Sequence, residues 1–176
     1  MEARRVVTGF DADGKPAILA DSAAPVVFGS KAIPEYQIAE ICVIDNVPTA
    51  LDAVDVSGRP WGLEPPGAGV VCRIVTRPPE SSGRDDLETL LDEVGAGDGR
   101  SGNGAGEAER PGQHQTATID IIIILSGVLW LTVGGQEVRL GPGDSVVQGG
   151  VPHAWHNRGT EACVMVGVMI PVLPAS

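Results

Sequence analysis

The sequence predicts an all-β chain folded into one small barrel, and three observations predict it. Its 24 glycines and 14 prolines punctuate short apolar runs, which is the pattern of strands joined by tight turns. From Thr118 to Val168 the chain is nearly continuous strand pattern. Within it, HQTATIDIIII (114–124) ends in isoleucines on both parities, as expected of a central strand covered on both faces. A length of 176 residues favours one domain spanning 1–176, and 43% hydrophobic residues suffice for a core.

The elements follow in order. VVTGF-DADG-KPAIL (6–19) reads as a hairpin. IAEICVI (38–44) is a strand, and GVVCRIVTR (69–77) is another, closed by Pro78-Pro79. One short helix is predicted around 85–95. Leu87, Leu90, Leu91 and Val94 recur at helical spacing, Asp85, Asp86 and Glu88 sit where the helix dipole favours acids, and Gly95 supplies the stop. A Gly-rich acidic stretch follows. Together they form an insertion over 80–112, read as a flexible surface feature, with a lid over the barrel mouth as the alternative. Strands resume at 118–125, 128–133, 136–140, 145–148 and 162–168. Ser126-Gly127, Gly134-Gly135 and Gly141-Pro142-Gly143-Asp144 provide the turns.

Charge and composition exclude several functions. The net charge of −11 disfavours nucleic acid and anionic membranes, because phosphate is repelled. The longest apolar run, 121–133, is too short to span a bilayer as a helix, and the N-terminus lacks the apolar core of a signal peptide. A soluble cytoplasmic protein is expected. Cys42, Cys72 and Cys163 have no CxxC spacing, so they read as small buried hydrophobes.

Strand parity finds the site. His114, Thr116, Thr118, Asp120, Ile122 and Ile124 share one face. Asp120 is the anomaly, since a carboxylate inside an apolar strand needs donors, a cation or a metal. In GGVPHAWHNRG (149–159), His153, Trp155 and Asn157 share one face, whereas His156 has the opposite parity and is expected at solvent or behind the site. Two histidines and one carboxylate compose a facial triad suited to Fe(II) and similar ions. The same three residues without metal would be an acid–base set. Thr116, Thr118, Ile122, Trp155 and Asn157 are the candidate substrate contacts, in a wall greasy enough to favour a hydrophobic or aromatic ligand. Arg73 either faces solvent or anchors a substrate carboxylate or enolate. Trp130 is read as core.

These residues carry a resemblance. The first motif of the cupin superfamily, G-x5-H-x-H-x3,4-E-x6-G, resembles His114-x-Thr116-x3-Asp120-x6-Gly127. The second resembles Gln148-x-Gly150-x2-His153-x3-Asn157. Thr116 stands where the family has a second His, Asp120 where it has Glu, and Gln148 where it has Pro. The resemblance covers residues 114–170 and implies a double-stranded β-helix (jelly-roll) barrel. It further resembles single-domain cupins of actinobacteria and filamentous fungi, some from polyketide clusters and described as cupin-domain-containing oxidoreductases.

In the family's metal-binding members three His and one Glu hold the ion. The resemblance therefore implies His114, Asp120 and His153 as ligands of one divalent metal (Fe, Mn, Ni or Zn), or a metal-free site because Thr116 replaces a ligand. It implies a small-molecule tailoring enzyme acting on a hydrophobic, polyketide-like carbonyl substrate. His114, Asp120 and His153 would carry dehydration, isomerisation, cyclisation, decarboxylation or metal-assisted oxygenation. The alternative is a non-catalytic ligand-binding module. By the same resemblance a homodimer is expected.

Overall fold

The structure is a computed structural model and describes residues 3–49, 61–80, 84–95 and 112–173. Eleven strands and one helix are formed by these residues. They are β1 (Arg4–Phe10), β2 (Pro16–Ala23), β3 (Val26–Gly29), β4 (Gln37–Ile44), β5 (Val70–Arg77), α1 (Arg84–Glu93), β6 (Thr118–Ser126), β7 (Leu129–Val133), β8 (Gln136–Leu140), β9 (Ser145–Gln148), β10 (His153–His156) and β11 (Cys163–Pro171). The all-β expectation holds. β3 was not anticipated, because VVF is too short to show a period of its own.

The strands form a six-stranded sheet ordered β3-β4-β5-β11-β6-β9, a three-stranded sheet β10-β7-β8, and a separate β1-β2 hairpin. The two larger sheets pack face to face. Ile38, Val75, Ile122, Ile124 and Met165 of the first meet Leu129, Leu131, Leu140 and Trp155 of the second in one buried cluster. Alternation sets which side chains enter it. In β6 the buried residues are Thr118, Asp120, Ile122 and Ile124, while Ile119, Ile121, Ile123 and Leu125 face outward.

That outward face corrects one expectation. The isoleucine run predicts cover on both sides, yet Ile121 and Ile123 remain 39% and 40% exposed. Registers across the sheet place Val147, Ile121, Val168, Cys72 and Cys42 in one outer row. β-branched side chains favour a strand whether or not the face is covered, so composition alone does not report the cover.

The helix is a second correction. It starts at Arg84 and is followed by Gly95 at φ 79°. Its Leu90 and Val94 are buried with Ile33 and Tyr36, and the Glu93 carboxylate accepts from Ser30 Oγ (2.6 Å) and from the Lys31 N–H (3.0 Å). The helix of the insertion is thus built into the core rather than lying on the surface. Residues 81–83 and 96–111 of the predicted insertion fall outside the described residues.

The motif glycines hold turns where backbones nearly touch. Gly127 has φ 75°, and a Cβ there would come within 2.7 Å of the Ala162 carbonyl oxygen. Gly150, at φ 67°, would place a Cβ 3.0 Å from the Thr118 carbonyl oxygen. An L-residue is disfavoured at both by conformation and by space. The Gly150 approach docks the β9–β10 turn onto the start of β6 and so brings His153 to the first motif.

Candidate active site

His114 and His153 are joined first by the backbone. Each donates its N–H to the other's carbonyl at 2.9 Å, forming an isolated antiparallel bridge. Their rings then lie with centroids 4.4 Å apart, tilted by 54°. Trp155 stands edge-on to His153 at 5.8 Å and is itself buried in the core. His153 is 2% exposed, and His114 is half-buried.

Both rings are held neutral. Burial lowers the pKa of His114 to about 3, reinforced by the neighbouring His153, and burial likewise lowers that of His153. The tautomer follows from the partners. His114 Nδ1 lies 3.1 Å from the Gly112 carbonyl oxygen, and His153 Nδ1 lies 2.8 Å from that of Val151. A carbonyl only accepts, so each Nδ1 carries the proton and each Nε2 keeps its lone pair. Gln148 Nε2 donates to the same Val151 carbonyl (3.2 Å). Its 3.1 Å approach to His153 Nδ1 therefore sets two donors side by side on one acceptor.

Asp120 pairs directly with Gln148 across β6 and β9, and the Gln148 side chain reaches His153. A hydroxyl chain leads to Asp120. Thr118 Oγ1 donates to Asp120 Oδ1 at 2.5 Å and lies 2.8 Å from Thr116 Oγ1, whose hydroxyl completes the chain as donor. Burial raises the Asp120 pKa, Thr118 opposes the rise, and the Glu64 carboxylate adds to it. The result is a carboxyl that resists ionisation and, facing the same interior, two imidazoles that resist protonation.

The sequence-predicted residues separate accordingly. His114, Thr116, Thr118, Asp120, Ile122 and His153 do face the interior. Asn157 is fully buried but occupied, its Nδ2 donating to the Arg77 and Glu161 carbonyls (2.9 Å each) while its Oδ1 accepts from the Gly159 N–H. It staples the loop after β10 with these three bonds. His156 behaves as parity predicts, half-buried behind the site with Nδ1 2.9 Å from Glu80 Oε1. Trp130 corrects the core reading: it is half-buried, with the Arg139 and Arg158 guanidinium carbons 5.7 and 5.8 Å from its ring.

Arg73 is neither at solvent nor free for an anion. It is 5% exposed, and its Nε donates to Glu40 Oε2 at 2.9 Å. Nη1 and Nη2 donate to the Leu63 and Gly62 carbonyls at 2.5 and 2.6 Å, and Trp61 stacks 4.5 Å away. The guanidinium thereby ties segment 61–64 across the sheet, and Glu64 at its end accepts the Ala117 N–H (3.0 Å). Sequence reading missed Glu40 and Gln148. The signal for Glu40 was present, because an acid within IAEICVI poses the question that Asp120 poses in TIDIIII.

The donor set does not fit the ligand set that the family's metal centre implies. Among the described residues no three His, Cys, Asp or Glu side chains are grouped to hold a metal ion, His114, Asp120 and His153 included. Thr116, at the missing histidine's place, is spent on Thr118.

Residues 103–170 match the family model of the cupin domain. No curated protein matches the sequence. Similar solved structures include the Schizosaccharomyces pombe Cnp3 cupin domain, 11% identical, with 98% of this chain and 90% of that one covered at a TM-score of 0.49. A cupin 2 conserved barrel domain protein from Salinispora arenicola is 15% identical, with coverage of 78% and 76% and a TM-score of 0.43. A conserved Streptococcus pyogenes protein of unknown function is 17% identical, with coverage of 59% and 66% and a TM-score of 0.37.

Proposed function

We propose, for a chain whose residues 103–170 match the cupin-domain family model, that the barrel interior binds a small, largely apolar carbonyl compound and moves a proton on it. One observation carries the reading. Asp120 is held towards its protonated form, while His114 and His153 are held neutral with Nε2 available. An acid and a base of that kind suit enolisation, and hence isomerisation, dehydration or cyclisation of an activated carbonyl. Asp120 donates to the carbonyl oxygen, the Thr116–Thr118 hydroxyls steady its other side, and a histidine Nε2 accepts the proton from the adjacent carbon. Ile122 and Trp155 supply apolar wall. A polyketide-like diketone or hydroxyaryl ketone is the substrate class that fits, and tailoring of such a compound is the role inferred.

The test is solvent deuterium exchange at the α-carbon of such ketones, followed by NMR. The protein is expected to accelerate exchange, and His153→Ala or Asp120→Asn to lose about 10²–10⁴-fold of that acceleration. Exchange unchanged by either substitution overturns the reading. Saturable binding without exchange selects the alternative, a ligand-binding module that turns nothing over.

A homodimer remains the expected assembly. The exposed Ile119, Ile121, Ile123, Leu125 and Val147 lie at the β6–β9 end of the six-stranded sheet, where β9 is an edge. A second copy would cover that face. Light scattering reads the mass directly, and a monomer overturns this assignment.

A further inference from the structure

Cys42 and Cys72 lie directly opposite one another on β4 and β5. What places them so is a bulge. Glu40 pairs with Arg73, and the register then slips so that Cys42, and not Ile41, meets Cys72. Without the slip an isoleucine would stand opposite the thiol. The bulge is anchored, because Arg5 Nε donates to the Ile41 carbonyl at 2.6 Å. Bulges re-aim side chains at specific positions. On either side of the pair, the inward residues are committed: Val43 with Val71 in a buried cluster, and Glu40 with Arg73 in an ion pair. The two cysteines are therefore turned outward together, and both are half-buried at the outer face, whereas Cys163 is fully buried.

Directly opposed residues in an antiparallel pair have Cα atoms about 4.5 or 5.5 Å apart, and disulfides span about 4.4–6.8 Å. We infer that Cys42 and Cys72 form a reversible cross-strand disulfide, with a low-molecular-weight disulfide such as oxidised glutathione as co-reactant. One cysteine thiolate attacks the glutathione disulfide, forming a mixed disulfide and releasing one glutathione thiol. The second cysteine thiolate then attacks the mixed disulfide and releases the other. Two protein thiols give up two electrons and two protons, and one glutathione disulfide becomes two glutathiones. The bond closes a loop from β4 to β5 that contains segment 61–64, so oxidation ties down the strands that carry Glu40 and Arg73.

The test treats the reduced full chain with oxidised glutathione at about pH 8.5, where burial-raised thiols exchange faster. Thiols are then counted in denaturant, intact mass is read, and linked peptides are mapped. The count is expected to fall from three to one with no glutathione retained, Cys42 linked to Cys72, and the change reversed by dithiothreitol. The melting temperature should rise by several degrees. Cys42→Ser or Cys72→Ser should instead keep one glutathione on the remaining partner. Three persisting thiols, a glutathione adduct that is never resolved in the unsubstituted chain, or a link to Cys163 overturns the inference.

Discussion

Two polar clusters occupy the same barrel interior and are built in opposite ways. Glu40 and Arg73 form one, 2.8 Å apart and each about 5% exposed, with the guanidinium also bonded to two carbonyls and stacked on Trp61. His114 and His153 form the other, with Asp120 facing the same interior, and both rings make their carbonyl contacts through Nδ1. The first cluster is saturated: it has nothing left to offer a ligand and serves to hold segment 61–64. In the second, His153 is buried and His114 half-buried, and each ring spends Nδ1 on a carbonyl, which leaves the Nε2 lone pair for a ligand. A buried polar group costs free energy until it is paired, so an under-paired cluster held in a rigid frame is where a ligand can supply the missing partners. Burial alone does not separate the two clusters; counting bonds does.

The largest expected effect falls on the saturated cluster. Arg73→Met leaves Glu40 buried without its cation and should cost about 3–5 kcal/mol in urea unfolding. The double substitution Glu40→Leu with Arg73→Met removes both charges and should recover most of that loss. If the single change costs under 1 kcal/mol, the pair does not clamp segment 61–64, and the contrast between clusters collapses.

The next effect sharpens the histidine side. Both rings have pKa values below the ordinary 6.5, so the unfolded chain binds more protons than the folded one in the window between the two values. Stability should therefore be fully present above about pH 6.5 and decline as pH falls towards 3, by about 2 kcal/mol at pH 4 from His114 after allowing for its partial exposure. Urea midpoints measured from pH 7 to pH 4 read this slope. His114→Gln should flatten it, and an unchanged slope would count against a ring held neutral by burial.

Much of this was legible in the sequence. The parity of HQTATIDIIII gave the inward face of β6, and that of HAWHN separated His153 from His156, because period-2 alternation is a local property that tertiary contacts rarely override. What was not legible depends on the partner strand. Arg73 looks solvent-bound until the β4–β5 register sets Glu40 beside it. Asn157 looks like a site residue until the turn before β11 brings the Glu161 carbonyl to it. Cys42 and Cys72 read as unrelated small hydrophobes because a one-residue bulge makes them neighbours, and no local pattern announces a bulge. Trp130 reads as core on hydrophobicity alone, yet two arginines pack on it from the solvent side.

A smaller effect tests Asp120. Its pKa is raised, so the folded chain holds the proton more tightly than the unfolded one, and stability falls as pH rises from the ordinary 3.8 through the folded value. Asp120→Asn removes the ionisable group while its amide oxygen still accepts from Thr118. The substitution should be neutral at pH 3 and stabilising at pH 7, even as proton exchange on a carbonyl ligand is lost. A stable but inactive variant is the signature of a group kept for chemistry rather than for folding. Destabilisation at pH 7 would move Asp120 into the same class as Glu40.

The smallest expected effect concerns divalent ions. A metal that binds the folded chain stabilises it by about 2.7 kcal/mol at a hundredfold excess over its dissociation constant. The two histidine Nε2 atoms offer two ligands, Asp120 is not grouped with them, and Thr116 is committed to Thr118. Saturating Zn(II), Mn(II), Ni(II) or anaerobic Fe(II) should therefore change the unfolding free energy by less than about 0.5 kcal/mol, and chelator dialysis should change it no more. Stabilisation by one of these ions that is abolished in both His114→Gln and His153→Ala would show that the unspent bonding capacity of this cluster is met by a cation. The contrast with Glu40–Arg73 would survive, since a cluster that leaves lone pairs unspent is still the one that binds. The assignment of its occupant to a carbonyl compound would give way.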